Sequence, residues 1–313
     1  MKKSLFIITL ALVGFSSCDK VENTHPVSGV PEGDWNLLYP SGDSAAYVTN
    51  EWPTFSENMN TNHNVLIEDF TGHKCFFCPA AANAAHQLGL DNPGRVVVSS
   101  IHAGISGNLE NIHELDVANG FVEDFTNPEG FLIGFTFGNG WPGSLVFGNP
   151  FGTVNRKDHG NGFPVTNPAL WESTTNSILA LNDLKVNIQA EKNYYPSTRG
   201  LFLHTEIEVM NQMLTNELKV VVHLLEDSLV GPQSYPGSVT DPEYVHRDIF
   251  RGSIDGFTFG RTLDDDHLGV NGYYYFNYAY RLPDEYNADN MHVIIYVRDA
   301  VTEEVYQVIK KHL

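Results

Sequence analysis

Two cysteines three positions apart, Cys75 and Cys78, stand between an apolar run and an alanine-rich stretch. No other feature of the chain limits the fold as much. Residues 65–70 (VLIEDF) read as a strand entering a core. Thr71, Gly72, His73 and Lys74 make a turn. From Cys75 the pattern becomes helical, with Pro79 near the start and Ala80, Ala81, Ala82, Ala84, Ala85 and Leu88 following. Asn92, Pro93 and Gly94 end that unit, and residues 96–101 (VVVSSI) supply a second buried strand. Strand, helix, strand in this order predicts a βαβ unit with parallel strands and a right-handed crossover.

The chemistry of the pair fits this place. Disulfide exchange needs a nucleophilic thiolate and a second thiol close enough to resolve the mixed disulfide. Two intervening residues in a first helical turn supply that spacing. The free N–H groups and partial positive charge of the helix N-terminus favour a Cys75 thiolate. His73 and Lys74 add to that field, and Cys78 lies deeper as the resolver. The competing readings are a structural disulfide and half of a zinc site. A bond across so short a loop adds little through chain entropy, and a zinc site lacks a second cysteine pair. Phe76 and Phe77 make the motif apolar, which suits a hydrophobic partner or burial.

Thioredoxin folds place a cis-proline just before a central strand, beside such a pair. Trp141, Pro142, Gly143 and then residues 144–147 (SLVF) have that order. Pro142 is therefore the candidate positioning residue, with the Trp141 backbone beside the sulfurs. His102 follows the second strand, at the edge where ligands gather in α/β sheets. It is a candidate proton shuttle for Cys78, against the plainer role of capping a strand end. Glu68 is the candidate buried carboxylate near the resolving thiol. Alternation places it on the same strand face as Phe70.

The N-terminus reads as a targeting segment. Lys2 and Lys3 precede an apolar run at residues 5–13 (LFIITLALV), broken only by Thr9. The run is too short for a permanent span and fits a secretion signal. Gly14, Phe15, Ser16 and Ser17 then lead to Cys18, which resembles the lipobox of bacterial lipoproteins. That resemblance implies cleavage of residues 1–17 and a diacylglycerol on the Cys18 thiol; a simple signal peptide cut nearby is the alternative. Asp19 and Glu22 behind Cys18 resemble the surface-export signal of Bacteroidetes-type lipoproteins. With Cys18 lipidated, Cys75 and Cys78 are left as the pair, in a compartment where a disulfide persists. No other apolar stretch is long enough to cross a bilayer, so the expected link to the membrane is the lipid. Lys and Arg total 18 against 38 Asp and Glu, a formal charge of −20. This excess argues against nucleic-acid partners and against docking on anionic lipid through a basic patch.

The rest of the chain divides by pattern. Residues 18–62 read as a tether and loose lead-in, with Trp35, Leu37, Leu38 and Tyr39 able to pack on a domain. Residues 63–182 hold the βαβ unit. Within them 103–140 reads as an insertion, helical over 111–125 and rich in Gly and Phe over 130–140. A short strand is expected at 144–147, its hairpin mate near 151–155, and a helix over 168–181. Residues 183–313 change to strands at 184–188, 201–209, 218–225, 273–281 and 291–297, with 305–313 a strand or short helix. Many strands and few helices predict an antiparallel β-sandwich. Asp264, Asp265 and Asp266 lack the spacing of a calcium loop and read as a solvated turn. No metal or cofactor site is expected, and no Ser-His-Asp, phosphate-loop or HExxH signature occurs.

Together these residues resemble a family of Bacteroidetes-type outer-membrane lipoproteins named after a 28-kilodalton outer membrane protein. The resemblance rests on Ile67-Glu68-Asp69-Phe70-Thr71-Gly72 running into Cys75-x-x-Cys78-Pro79, on Ile101-His102-Ala103-Gly104, on Trp141-Pro142 and on Val154-Asn155-Arg156. In the second half it rests on Leu225-Glu226-Asp227 through Gln233, Val245-His246-Arg247-Asp248 to Arg251-Gly252, and Val305-Tyr306-Gln307. It covers about residues 63–313. It implies an α/β thioredoxin-like domain followed by an all-β immunoglobulin-like sandwich, in an outer-membrane lipoprotein on the periplasmic or surface-exposed face. Two functions compete. One is a non-catalytic binding role toward envelope or surface proteins, on a scaffold whose fold alone confers no activity. The other is a thiol–disulfide oxidoreductase in which Cys75 attacks, Cys78 resolves and Pro142 positions the substrate. The sequence weighs them about equally, leaning to the first.

Overall fold

The computed structural model describes residues 32–103, 115–138, 148–160 and 162–313. Part of the lead-in is helical: α1 (Glu32–Leu38) and α2 (Ser44–Asn50) precede the first strand. Asp43 starts α2 by accepting the Ala45 and Ala46 N–H groups on its side chain. The next elements are β1 (Val65–Thr71), α3 (Cys78–Asp91), β2 (Val96–His102), α4 (Pro128–Phe137), β3 (Phe151–Val154), β4 (Val165–Thr166) and α5 (Trp171–Leu181).

β1 and β2 pair in parallel, with Ile67 opposite Val98 and Asp69 opposite Ser100. This is the βαβ unit that the sequence implies. β3 lies antiparallel on the other side of β1, and β4 lies antiparallel on β3. Both faces of this sheet are covered, which is why β1 and β2 are buried along their whole length. On one face α3 and α5 pack Ala81, Ala85, Leu88, Trp171 and Ile178 onto Val65, Ile67, Val96 and Val98. On the other, α4 brings Ile133 and Phe137 onto Leu66, Phe70, Val97 and Ile101. Gly152 permits the close layer over β3, because a Cβ there would lie 2.5 Å from the Trp171 ring.

Helix α4 occupies the stretch expected only as Gly- and Phe-rich. Its start signal is local. Asn127 accepts the Gly130 N–H at 2.8 Å, and Pro128 takes the first helical position. Conversely, residues 115–125 hold only a short 3-10 turn at Val117–Asn119 where a helix was expected. Gly120, at φ 87°, takes the left-handed conformation that closes it. The expected strand at 144–147 lies outside the described residues.

The second half supplies β5 (Val186–Tyr195), β6 (Gly200–Val209), β7 (Leu218–Glu226), β8 (Leu229–Tyr235), β9 (Val239–His246), β10 (Ile249–Ser253), β11 (Arg261–Thr262), β12 (Tyr274–Arg281), β13 (Met291–Asp299) and β14 (Val305–His312). Four of the expected strands, and the C-terminal one, lie where the sequence puts them; the one expected at 184–188 starts two residues later and runs on to Tyr195 as β5. The β8–β9 hairpin and β10 were missed. The main sheet runs β14-β13-β7-β10-β2-β1-β3-β4, with β11 also on β7, so it continues across residue 182. Its junction is one parallel register, Ile249 on β10 opposite Ser100 on β2.

A three-stranded sheet, β12-β6-β5, faces the β7–β13 part of the main sheet. Val186, Ile188, Leu201, Leu203 and Phe276 meet Val220, Val222, Val293 and Ile295 between them. The outer side of the smaller sheet carries α1 and α2, with Trp35, Leu38 and Tyr47 buried against Phe202 and Ala279 while Leu37 stays exposed. Gly200 allows this contact, since a Cβ there would lie 2.4 Å from the Leu38 carbonyl oxygen. Among the described residues, no helix is long and apolar enough to cross a membrane.

Candidate functional site around Cys75 and Cys78

Two successive turns hand the chain from β1 to α3. The Cys75 N–H donates to the Gly72 carbonyl at 3.1 Å, and the Cys78 N–H donates to the Cys75 carbonyl at 3.3 Å. Cys78 is the first residue of α3 and Pro79 the second. The two cysteines are disulfide-bonded with a Cα–Cα distance of 5.4 Å. Their exposures differ: Cys75 is half-buried, whereas Cys78 is 1% exposed. A partner sulfur can therefore reach Cys75 and not Cys78. Phe76 and Phe77 are 49% and 67% exposed beside the pair. Phe77, Ala80, Ala84, Asn149, Pro150 and Pro168 line an adjacent groove of about 470 Å³.

Trp141 and Pro142 lie outside the described residues. Among those described, the cis X–Pro bond is Asn149–Pro150, directly before β3. Asn149 ties this corner to the sheet by donating from Nδ2 to the carbonyls of Thr71 (3.1 Å) and Ala103 (2.9 Å).

The two carboxylates of β1 separate. Glu68 is held by Arg156, whose Nη2 and Nε donate to its two oxygens at 2.6 and 2.8 Å, and by Thr153 at 2.7 Å. Burial works to raise its pKa, but the Arg156 charge and these hydrogen bonds hold it below the usual carboxylate range. Its partners are on and just after β3, so it is part of a buried ion pair and does not serve the thiols. Asp69, the next residue, shares its strand face with Ile67 and Thr71. A crossover helix runs antiparallel to its strand, so this end of β1 lies beneath the first turn of α3. Asp69 is fully buried, and among the described residues neither carboxyl oxygen has a hydrogen-bond partner. Burial alone pushes its pKa up to about 8.

A cavity of about 30 Å³, room for a water molecule or two, opens beside Cys78. Thr71, Ser100, His102, Tyr244 and His246 are among the residues that line it. Ser100 is the register partner of Asp69, and the Asp69 carboxyl lies within electrostatic reach of Tyr244. His102 is thus placed in the same lining as Cys78. Its ring packs 5.3 Å from His73, 5.3 Å from Phe125 and 5.5 Å from His246. Lys74 turns away from the pair, onto Asp116 at 3.0 Å.

The second half of the chain closes the site. Tyr244 and His246 come from β9. From β8, the Ser234 N–H donates to the His73 carbonyl at 2.8 Å, and the buried Gln233 side chain reaches the turn before Cys75. Sequence reasoning found neither Asp69 nor this hairpin. Apolar residues on both faces of β1 gave no parity signal to set Asp69 above Glu68, and β8 and β9 are too polar to stand out as strands.

The family described as outer membrane protein Omp28 matches residues 145–313, a stretch that includes Arg156, Gln233 and Tyr244 but starts after the cysteine pair. No curated protein matches. Among solved structures, the chain is similar to HBP35 of Porphyromonas gingivalis, with 15% identity and a TM-score of 0.56 over 80% of this chain and 76% of that one. It also matches a domain of the outer membrane lipoprotein Omp28 from Porphyromonas gingivalis. There the identity is 22% and the TM-score 0.28, over 42% of this chain and 89% of that one.

Proposed function

Because this chain belongs to the Omp28 family of outer membrane proteins, we propose that it is an outer-membrane lipoprotein, anchored through Cys18, whose Cys75–Cys78 pair exchanges disulfides with envelope proteins. The location in the outer membrane of the cell envelope follows from the family; the anchor and the reaction are our reading. Residues 63–182 are read as a thioredoxin-like unit. The strand order β2-β1-β3-β4, with α3 and α5 on one face and α4 on the other, supports this. Residues 183–313 are read as an immunoglobulin-like sandwich, on the strength of the two facing sheets.

One observation carries the redox reading: a half-exposed and a buried sulfur at the mouth of a helix, packed on the strand whose buried Asp69 carboxyl has no hydrogen-bond partner among the described residues. A buried, unpaired carboxyl costs stability, which is reason to look for a use. In the oxidised state, a partner thiolate attacks Cys75, and Cys78 leaves as thiolate. A second partner thiolate then attacks the partner sulfur of the mixed disulfide, releasing Cys75. The partner loses two electrons as its dithiol becomes a disulfide, and the pair gains them. In reverse, the Cys75 thiolate attacks a partner disulfide and Cys78 resolves, with its proton passing to the Asp69 carboxylate. The helix N-terminus favours the Cys75 thiolate in both directions.

Trapping tests this reading. Cys78→Ser cannot resolve, so incubation with an oxidised dithiol peptide must accumulate a mixed disulfide on Cys75, detected by mass. A variant that stays unmodified while free cysteine reacts under the same conditions sinks the proposal. The anchor is tested separately: Cys18→Ala must lose incorporation of labelled fatty acid. The non-catalytic binding role is the second reading. It is favoured by the β8 contacts, which hold the turn before Cys75 in one conformation.

A further inference from the structure

The Gln233 side chain is 2% exposed. Its Nε2 lies within hydrogen-bond distance of four carbonyl oxygens: His73 at 2.9 Å, Cys75 at 3.1 Å, Ser234 at 3.2 Å and Gly72 at 3.3 Å. An amide has two N–H bonds, so these acceptors share them. Three of the four belong to the turn that carries Cys75. The Cys75 carbonyl also accepts the Cys78 N–H, the bond that sets the distance between the cysteines. Gln233 therefore grips the turn at the point where the two sulfur-bearing residues are related.

We propose that Gln233 is the positioning residue of the cysteine pair: it ties the carbonyls of Gly72, His73 and Cys75 to β8, and so keeps Cys75 within closing distance of Cys78 once the S–S bond opens. This deepens the redox reading and rests on it. With both thiols free, closure is an intramolecular step, and its equilibrium follows the effective concentration of one sulfur at the other. A turn released from β8 samples more conformations, and closure becomes less favourable. The pair is then reduced more readily: two glutathione thiols give glutathione disulfide and the Cys75, Cys78 dithiol, with two electrons and two protons passing to the pair.

The test is a redox titration of the full chain in glutathione buffers at pH 7, read by alkylation and mass. Gln233→Ala shifts the equilibrium constant about tenfold toward the dithiol, equal to about 30 mV for two electrons. Gln233→Glu, close in shape but without the donors at neutral pH, moves it the same way. A constant within twofold of wild type in either folded variant overturns the proposal, and so does an equal fall in melting temperature of the oxidised and reduced forms. Should neither variant fold, the Gln233 side-chain N–H protons of the wild-type protein must stay protected from solvent exchange after reduction of the pair; protection lost on reduction overturns it equally. The titration needs no turnover of a partner. A protein that fails the trapping experiment can still pass this one, and the reverse holds too.

Discussion

The two faces of β1 treat neighbouring carboxylates in opposite ways. Glu68 and Asp69 are both buried. Glu68 faces a ready set of donors: Arg156, itself supported by the Tyr296 hydroxyl, and Thr153. Asp69 lies on the strand face that packs Ile67 against α3, and among the described residues neither of its oxygens meets a donor. One face has a completed network that joins the two halves of the chain, since Tyr296 belongs to β13. The other holds a group whose environment disfavours its charge. Burial of a carboxyl thus says little about its role; what decides is whether the surroundings satisfy the charged form.

Three substitutions sharpen or break this contrast. The largest expected effect is at Asp69. Its native pKa of about 8 lies above the unfolded value, so the folded form binds the proton more tightly. That contribution is fully present below about pH 4 and is lost as pH rises through about 8. Asp69→Asn removes the dependence. Chemical unfolding should find it close to wild type at pH 4 and more stable at pH 9, by on the order of 5 kcal/mol. Equal stabilities at pH 9 would put Asp69 on the same footing as Glu68.

Next is Arg156→Met. It leaves Glu68 buried without its partner, and the expected loss is about 3–5 kcal/mol by denaturant titration at pH 7. Adding Glu68→Leu to it should recover most of that loss, because the uncompensated charge goes with it. A second carboxylate, Glu303, also approaches Arg156 (3.5 Å), so recovery is partial. The smallest effect is at Lys74→Met. Its ammonium meets Asp116 at the surface, where side chains are about a third exposed. Screening by solvent leaves no measurable change in melting temperature, and in the reduced protein Cys75 should react with iodoacetamide at the wild-type rate.

Much of the frame was legible. The βαβ unit follows from one apolar run, a proline-led alanine helix and a second apolar run, signals that do not depend on the rest of the chain. The strongest strands of the second half were readable for the same reason. The rest depended on tertiary placement. Helix α4 was hidden by glycines and phenylalanines that read as loop, although Asn127 and Pro128 marked its start. The β8–β9 hairpin carries Pro, Gln, Ser, Asp and Glu within its strands. Its value lies in hydrogen bonds to a turn about 160 positions away, which no local pattern encodes. Glu68 and Asp69 were separable only by knowing which face α3 covers. The sequence named Cys75, Cys78 and His102, and those three are brought together; Asp69, Gln233 and Tyr244 came from the coordinates.

If Asp69 serves the thiols, its carboxyl must sense their redox state. Carbon-13 NMR of its carboxyl, followed through pH in the oxidised and the reduced protein, measures this directly. The expected result is a midpoint near 8 with the disulfide closed and a displaced midpoint once Cys78 is a thiol. A midpoint in the ordinary carboxylate range, the same in both states, would contradict it.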